Sequence, residues 1–189
     1  LFLADTTVNF NPTAEELAEI TLLVAKEVRH FNLVPKIAML SYSNFGSSNS
    51  PEANLVRKAR EIVKKKDPTL KCDGEIQGIV AFNNELLKEN YPFSELVNED
   101  VNTLVFPNLA AGNIAYNLLQ ELGGADSVGP ILMGLNKPVH VLQLGSSIRS
   151  IFNMVVIAVV DAQAKTKSNA QEEIKKSRWW KGKGKKLEG

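Results

Sequence analysis

Short apolar runs alternate with amphipathic segments of helical period along most of this chain, and that alternation demands a mostly parallel sheet flanked by helices, an α/β fold. Leu1 to Ala4 reads as an opening β-like run. Behind Pro12, Thr13-Ala14-Glu15-Glu16 forms a capping box, and Leu17, Ile20, Leu23, Val24 and Val28 recur at helical spacing to about His30. Lys36 to Leu40 is a strand, and Ser41 to Ser50 a polar loop leading to Pro51, a favourable first helical residue behind a Ser cap. That helix ends near Lys66, before Pro68. Asp73 to Gln77 follows a short extended segment, and Ile79 to Asn90 has a helical pattern. Asn102 to Phe106 is a buried strand, Pro107 to Gly112 a loop of small residues, and Asn113 to Leu122 a helix stopped by Gly123-Gly124. Val128 to Leu135 and Pro138 to Leu142 are expected as two further strands. The last leads through residues 143–147 into a long helix whose Ile148, Ile151, Phe152, Val155, Val156 and Val159 make an apolar face, expected to be mostly buried, against a partner chain for instance.

Charge and cysteine content narrow the function. Among 189 residues, 22 Lys and Arg stand against 21 Asp and Glu for a net +1, which excludes a strongly basic nucleic-acid platform. A single cysteine, Cys72, excludes a disulfide framework and a CxxC zinc site, and suits a reducing cytosolic setting. No run of eighteen apolar residues and no signal peptide are visible, so neither a membrane nor a nucleic-acid partner is expected. The chain opens on Leu1 inside a β-like run, as a fragment of a longer polypeptide would. Residues 165–189 differ in kind: nine basic and three acidic residues, with Trp179-Trp180 among them, form a basic tail to the domain at 1–164. A solvated terminal extension explains it more simply than contact with nucleic acid, an anionic membrane or an acidic partner surface does.

In an open α/β sheet, ligands gather where strands hand over to helices. Four such loops are rich in small hydrogen-bonding residues: 5–9, 41–48, 108–113 and 143–147. Backbone N–H groups and Ser, Thr and Asn side chains there suit phosphate groups, although the same residues also simply cap helices and make turns. Ser41, Ser43, Ser47, Ser48, Ser146 and Ser147 lack a G-x-S-x-G elbow, and neither His30 nor His140 stands in a triad context. Asp73 and Glu75 are candidates for a metal or an acid–base pair, but acidic residues flanking a glycine more commonly form a solvated turn, so no metal site is expected. His140, in a strand, reads as a core or interface residue, and Cys72 has too little positive charge nearby for an activated thiolate. Neither a P-loop nor a dinucleotide fingerprint occurs.

The strings DTTVNFNPTAEELAEI (Asp5 to Ile20), SYSNFGSS (Ser41 to Ser48), DGEIQ (Asp73 to Gln77) and FPNLAAGNIAYNLLQELGGADSVGPILMGLNKPVHVLQLGSS (Phe106 to Ser147) resemble the phosphate acetyltransferase (phosphotransacetylase) family in consistent order. The resemblance implies a fold similar to the isocitrate and isopropylmalate dehydrogenases, with two α/β subdomains around a coenzyme A cleft in a dimer, of which this chain is the later half. It also implies two subgroups. Active members convert acetyl-CoA and phosphate to acetyl phosphate and CoA, whereas a related domain forms the C-terminal part of bacterial hybrid NADP-dependent malic enzymes. Catalytic members carry a Ser-Arg pair directly before a Gly and an acidic residue shortly after it; here Gln143 and Leu144 precede Gly145, and Ser150 takes the acidic position. Leucine offers no bidentate cationic fork for phosphate and serine no carboxylate.

Read through the resemblance, none of the catalytic positions is intact, and the chain is expected to bind acetyl-CoA as an effector through Ser43, Asn44, Gly46, Ser47, Asn113, Gly145, Ser146 and Ser147. A fused malic enzyme would use NADP and Mg2+ or Mn2+ outside this chain, and the domain would support homo-oligomers in the bacterial cytoplasm. The alternatives are a working phosphate acetyltransferase and a purely structural dimerisation domain.

Overall fold

Four strands, β1 (Phe2–Ala4), β2 (Lys36–Leu40), β3 (Lys71–Ile76) and β4 (Thr103–Val105), form one parallel sheet in the order β1-β4-β2-β3. The computed structural model describes residues 1–124, 127–142 and 145–163, and the chain divides into two units, Leu1–Asp126 and Ser127–Gly189. The sheet belongs to the first. Because every pairing is parallel, the carboxyl ends of all four strands lie along one edge of the sheet, which is where the loops of interest begin.

Local chemistry explains why the helices start where they do. In α1 (Ala14–His30) the Thr13 hydroxyl accepts the Glu16 N–H at 3.2 Å, and the Glu16 carboxylate accepts the Thr13 N–H at 2.8 Å, the reciprocal box that the sequence predicts. Helix α2 (Pro51–Lys66) starts with Pro51, and the Ser50 hydroxyl accepts the Ala53 N–H. Small buried residues Ala53, Val56, Ala59 and Val63 let α2 pack closely on α1, which buries Leu17, Ala18, Val24, Ala25 and Val28. A second cluster joins Ala38, Ile76, Leu87, Leu96, Leu104 and Phe106. Between β2 and β3 the register shifts at Met39/Leu40. Gly74 permits this at φ 149°, since a Cβ there would lie 2.5 Å from the Met39 carbonyl oxygen.

Several expectations need correction. The helix expected from Ile79 to Asn90 is two, α3 (Gly78–Ala81) and α4 (Asn84–Asn90), because the Asn83 side chain accepts the N–H groups of Glu85 and Leu86 and starts a new helix. Helix α5 (Leu109–Gly123) begins before Asn113, capped by Asn108, whose side chain accepts the Ala111 N–H; the small residues read as loop are its first turn. Asp73 and Glu75 are not in a solvated turn but on the buried strand β3.

In the second unit, residues 127–142 form no strand, against the expectation of two. Pro130 and Pro138 carry no N–H for a ladder, and Gly129 and Gly134 weaken pairing further. His140 is accordingly not in a strand, and its Nδ1 accepts the Leu132 N–H at 3.3 Å. Residues 148–163 are helical as expected, with Met154 buried. The face carrying Ile148, Phe152, Val155, Val156 and Val159 is exposed in the single chain, and its burial against a partner chain stays an expectation. Residues 164–189, with the basic tail, and Gln143 and Leu144 lie outside the described residues.

Candidate functional site

At the carboxyl end of β1 the chain turns around one carboxylate. Asp5 accepts N–H groups from Thr7 (2.7 Å), Val8 (3.0 Å) and Asn9 (2.8 Å), and the Asn9 side chain at 2.7 Å. Burial pushes the Asp5 carboxyl up, but these four donors outweigh it and hold it below the ordinary carboxylate range.

The loop after β2 is built the same way around a carboxylate from the neighbouring strand. Glu75 has no exposed side-chain surface; its Oε1 accepts the Ser43 hydroxyl at 3.0 Å and the Gly46 N–H at 2.8 Å. Arg57, on α2, grips both Glu75 oxygens, Nε to Oε2 at 3.0 Å and Nη2 to Oε1 at 2.9 Å, and reaches the Ser48 carbonyl at 3.0 Å. Burial pushes Glu75 up, and the Arg57 fork with the Gly46 N–H and Ser43 hydroxyl overrides it, so this carboxyl too is held below its usual range. The rest of the loop is similarly tied. Ser43 Oγ accepts the Ser48 N–H, Ser47 Oγ accepts the Asn44 N–H, and Asn44 Oδ1 accepts the Gln77 N–H.

Of the predicted contacts, Ser43, Asn44, Gly46 and Ser47 thus share a single turn, with Ser43 buried at its base. Asn113 belongs to a different loop system: its Nδ2 donates to the Thr6 carbonyl at 3.2 Å, joining α5 to the β1 loop. In the second unit Ser147 caps the final helix, its Oγ accepting the Ser150 N–H at 3.1 Å and lying 2.9 Å from Ser150 Oγ. Gly145 precedes it at φ 86°, and Ser146 lies between them.

One expectation changes in kind. The N–H groups of Thr7, Val8, Asn9, Asn44, Ser47 and Ser48 are all taken within their own loops and that of Gly46 by Glu75 of β3, so the carboxylates of Asp5 and Glu75 stand where a bound anion would. The expected contacts Ser43 and Gly46 are corrected accordingly: the Ser43 hydroxyl is buried against Glu75 and the Gly46 N–H is taken by it, which leaves the side chains of Asn44 and Ser47 toward the surface of this turn.

The carboxylates considered for a metal are engaged elsewhere. Asp73 meets Arg60 at 3.2 Å and accepts the Ser94 hydroxyl and the Glu95 N–H, while Glu75 belongs to Arg57. Among the described residues no group of three His, Cys, Asp or Glu side chains is arranged to hold a metal ion. Cys72 is buried, and burial first, then the Asp73 charge, pushes its thiol up to about 12. Sequence reasoning missed Arg57 as the partner of Glu75. The two lie 18 residues apart, with no local pattern to link them.

A parallel sheet flanked by helices, with tightly organised polar loops at its carboxyl edge, defines an α/β domain. The chain belongs to the family described as Phosphate acetyl/butaryl transferase, whose model matches residues 1–159. It is 51% identical over 163 residues to an NADP-dependent malic enzyme of Haemophilus influenzae, covering 86% of this chain and 21% of that protein. It is 41% identical over 159 residues to a phosphate acetyltransferase of Bacillus subtilis, covering 84% of this chain and 49% of that one. A phosphotransacetylase structure from Streptococcus pyogenes superposes with a TM-score of 0.81 at 44% identity, over 85% of this chain and 49% of that one. The chain thus spans about a fifth of the malic enzyme and about half of the acetyltransferases. The expected family and α/β fold are borne out.

Proposed function

We propose that this chain is a non-catalytic domain that binds acetyl-CoA and regulates a fused NADP-dependent malic enzyme. The observation that carries the reading is Gln143-Leu144 ahead of Gly145, where the resemblance places the Ser-Arg pair of working acetyltransferases. Ser150 stands where they carry an acid, its hydroxyl turned to Ser147 Oγ at 2.9 Å. Losing one preorganised electrostatic stabiliser costs roughly 2.7 to 4 kcal/mol of transition-state stabilisation, and here a hydroxyl, a guanidinium and a carboxylate are missing together. The higher identity to the malic enzyme than to the acetyltransferase supports the same reading.

In this reading, Asn44 and Ser47 of the β2–α2 turn and Asn113, all in the first unit, contact acetyl-CoA, and the second unit offers Ser146 and Ser147 as contacts of its own. Acetyl-CoA shifts the parent enzyme only if it binds one quaternary state better than another; a coupling of about 1 to 3 kcal/mol changes affinity roughly 5 to 150-fold. The malate-oxidising site, with NADP and Mg2+ or Mn2+, lies outside this chain. The exposed apolar side of helix 148–163 would serve a homo-oligomer. The bacterial cytoplasm suits the single buried thiol, and no described helix is long and apolar enough to cross a membrane.

A working phosphate acetyltransferase is the second reading, favoured by Arg149, a guanidinium close to the altered positions. Titration calorimetry of the intact polypeptide with acetyl-CoA, alongside an assay for acetyl phosphate, tests both. Binding without turnover is the expected result, turnover at enzyme-like rates establishes the second reading, and no binding overturns the first.

A further inference from the structure

We propose that Glu75 and Arg57 are positioning residues that fix the turn at 43–48 and thereby set the affinity of the candidate site for its ligand; this rests on the acetyl-CoA reading above. The pair connects three pieces of chain. Glu75 is on the edge strand β3, Arg57 on α2, and between them they hold the Ser43 hydroxyl, the Gly46 N–H and the Ser48 carbonyl.

Stability alone is a weak reason to bury Glu75. Removing a carboxylate from water is costly even with Arg57, 31% exposed, beside it, and well-packed apolar residues of similar volume often hold a fold equally well or better. An apolar pair cannot, however, pin a hydroxyl and an N–H at fixed points. Glu75 does this with one oxygen, Oε1, while Arg57 holds both oxygens. Through Ser43 and Gly46 the pair holds Asn44 and Ser47, the predicted ligand contacts that lie toward the surface of this loop. A ligand meeting an ordered turn loses less freedom on binding than one that must order it.

The substitution Glu75→Gln keeps the shape of the side chain but puts an N–H2 group toward the Arg57 fork. In ligand-free protein, amide exchange at Gly46 and Ser48 should accelerate while that of buried α1 amides stays as in wild type. By calorimetry, at a temperature where both proteins are fully folded, acetyl-CoA should bind the variant about tenfold or more weakly, the scale of one charge-assisted hydrogen bond. Arg57→Lys, which keeps the charge and loses the fork, should show a smaller change of the same sign, and it carries the comparison alone if Glu75→Gln fails to fold. A lower Tm with unchanged acetyl-CoA affinity in the folded variants would mean a merely structural pair and overturns the proposal while leaving the acetyl-CoA reading intact. Wild-type protein that binds no acetyl-CoA overturns that reading, and this proposal with it.

Discussion

Gly112, near the start of α5, stands directly against Asp5: a Cβ at residue 112 would lie 2.1 Å from the Asp5 carbonyl oxygen. The contact locks the start of α5 to the end of β1, and the Asn113 bond to the Thr6 carbonyl follows from it. Backbone on both sides leaves no flexible group to yield. Gly112→Ala should therefore destabilise the protein by about 1 to 3 kcal/mol, the usual cost of overpacking a close contact, read as a lower urea midpoint. Gly123→Ala, at the other end of the same helix with nothing among the described residues within 4 Å of the added methyl, is the control and should leave the midpoint unchanged or raise it.

Acid should dismantle both loops. Asp5 and Glu75 have carboxyls held below their ordinary values of 3.8 and 4.5. A depressed folded-state pKa gives stability that is fully present above the unfolded value and lost as pH falls through the folded one. Wild-type Tm should thus start to fall below about pH 4.5. Asp5→Asn and Glu75→Gln should each start from a lower Tm at neutral pH and decline less steeply in acid, as thermal melts across pH 7 to 3 will record.

Cys72 should be chemically silent. With its thiol buried and pushed up to about 12, almost no thiolate exists at neutral pH. Iodoacetamide at pH 7.5 should label it only after denaturant unfolds the sheet, with mass spectrometry as the readout; rapid labelling of native protein would contradict the packing of β3.

Much of the fold was legible because the signals were local. Thr13 with Glu16, Ser50 with Pro51, and the apolar run from Lys36 to Leu40 each carry their structure within a few residues, and all appear where expected. Misreadings arose where tertiary partners decide. Asp73 and Glu75 look like a solvated turn until Arg60 and Arg57 arrive from α2 to neutralise them on a buried strand. The apolar residues 128–135 carry strand-like composition, but proline and glycine interrupt the ladder they would need. At the candidate site the polar loops could be read from residue types. That Asp5 and Glu75 would occupy the loop N–H groups could not, because nothing in the residue types separates these carboxylates from ones that face solvent.

Asn113 and Ser147 should each bear on regulation and not on basal catalysis in the intact polypeptide. The double variant Asn113→Ala, Ser147→Ala should respond to acetyl-CoA only at higher concentration, while malate oxidation without acetyl-CoA stays at the wild-type rate. Ser147 also caps the final helix, and losing such a cap costs about 0.5 to 2 kcal/mol. Ser147→Asp, which keeps a cap acceptor, separates that structural cost from an effect on ligand response. A double variant as sensitive as wild type would remove both residues from the site.

The most direct test is an assay for acetyl phosphate with purified intact polypeptide, acetyl-CoA and inorganic phosphate, run beside a working phosphate acetyltransferase. With Gln143, Leu144 and Ser150 in place of the phosphate-gripping and acidic groups, acetyl-CoA should bind while acetyl phosphate stays at background. Formation of acetyl phosphate at a rate comparable to the working enzyme would contradict the account.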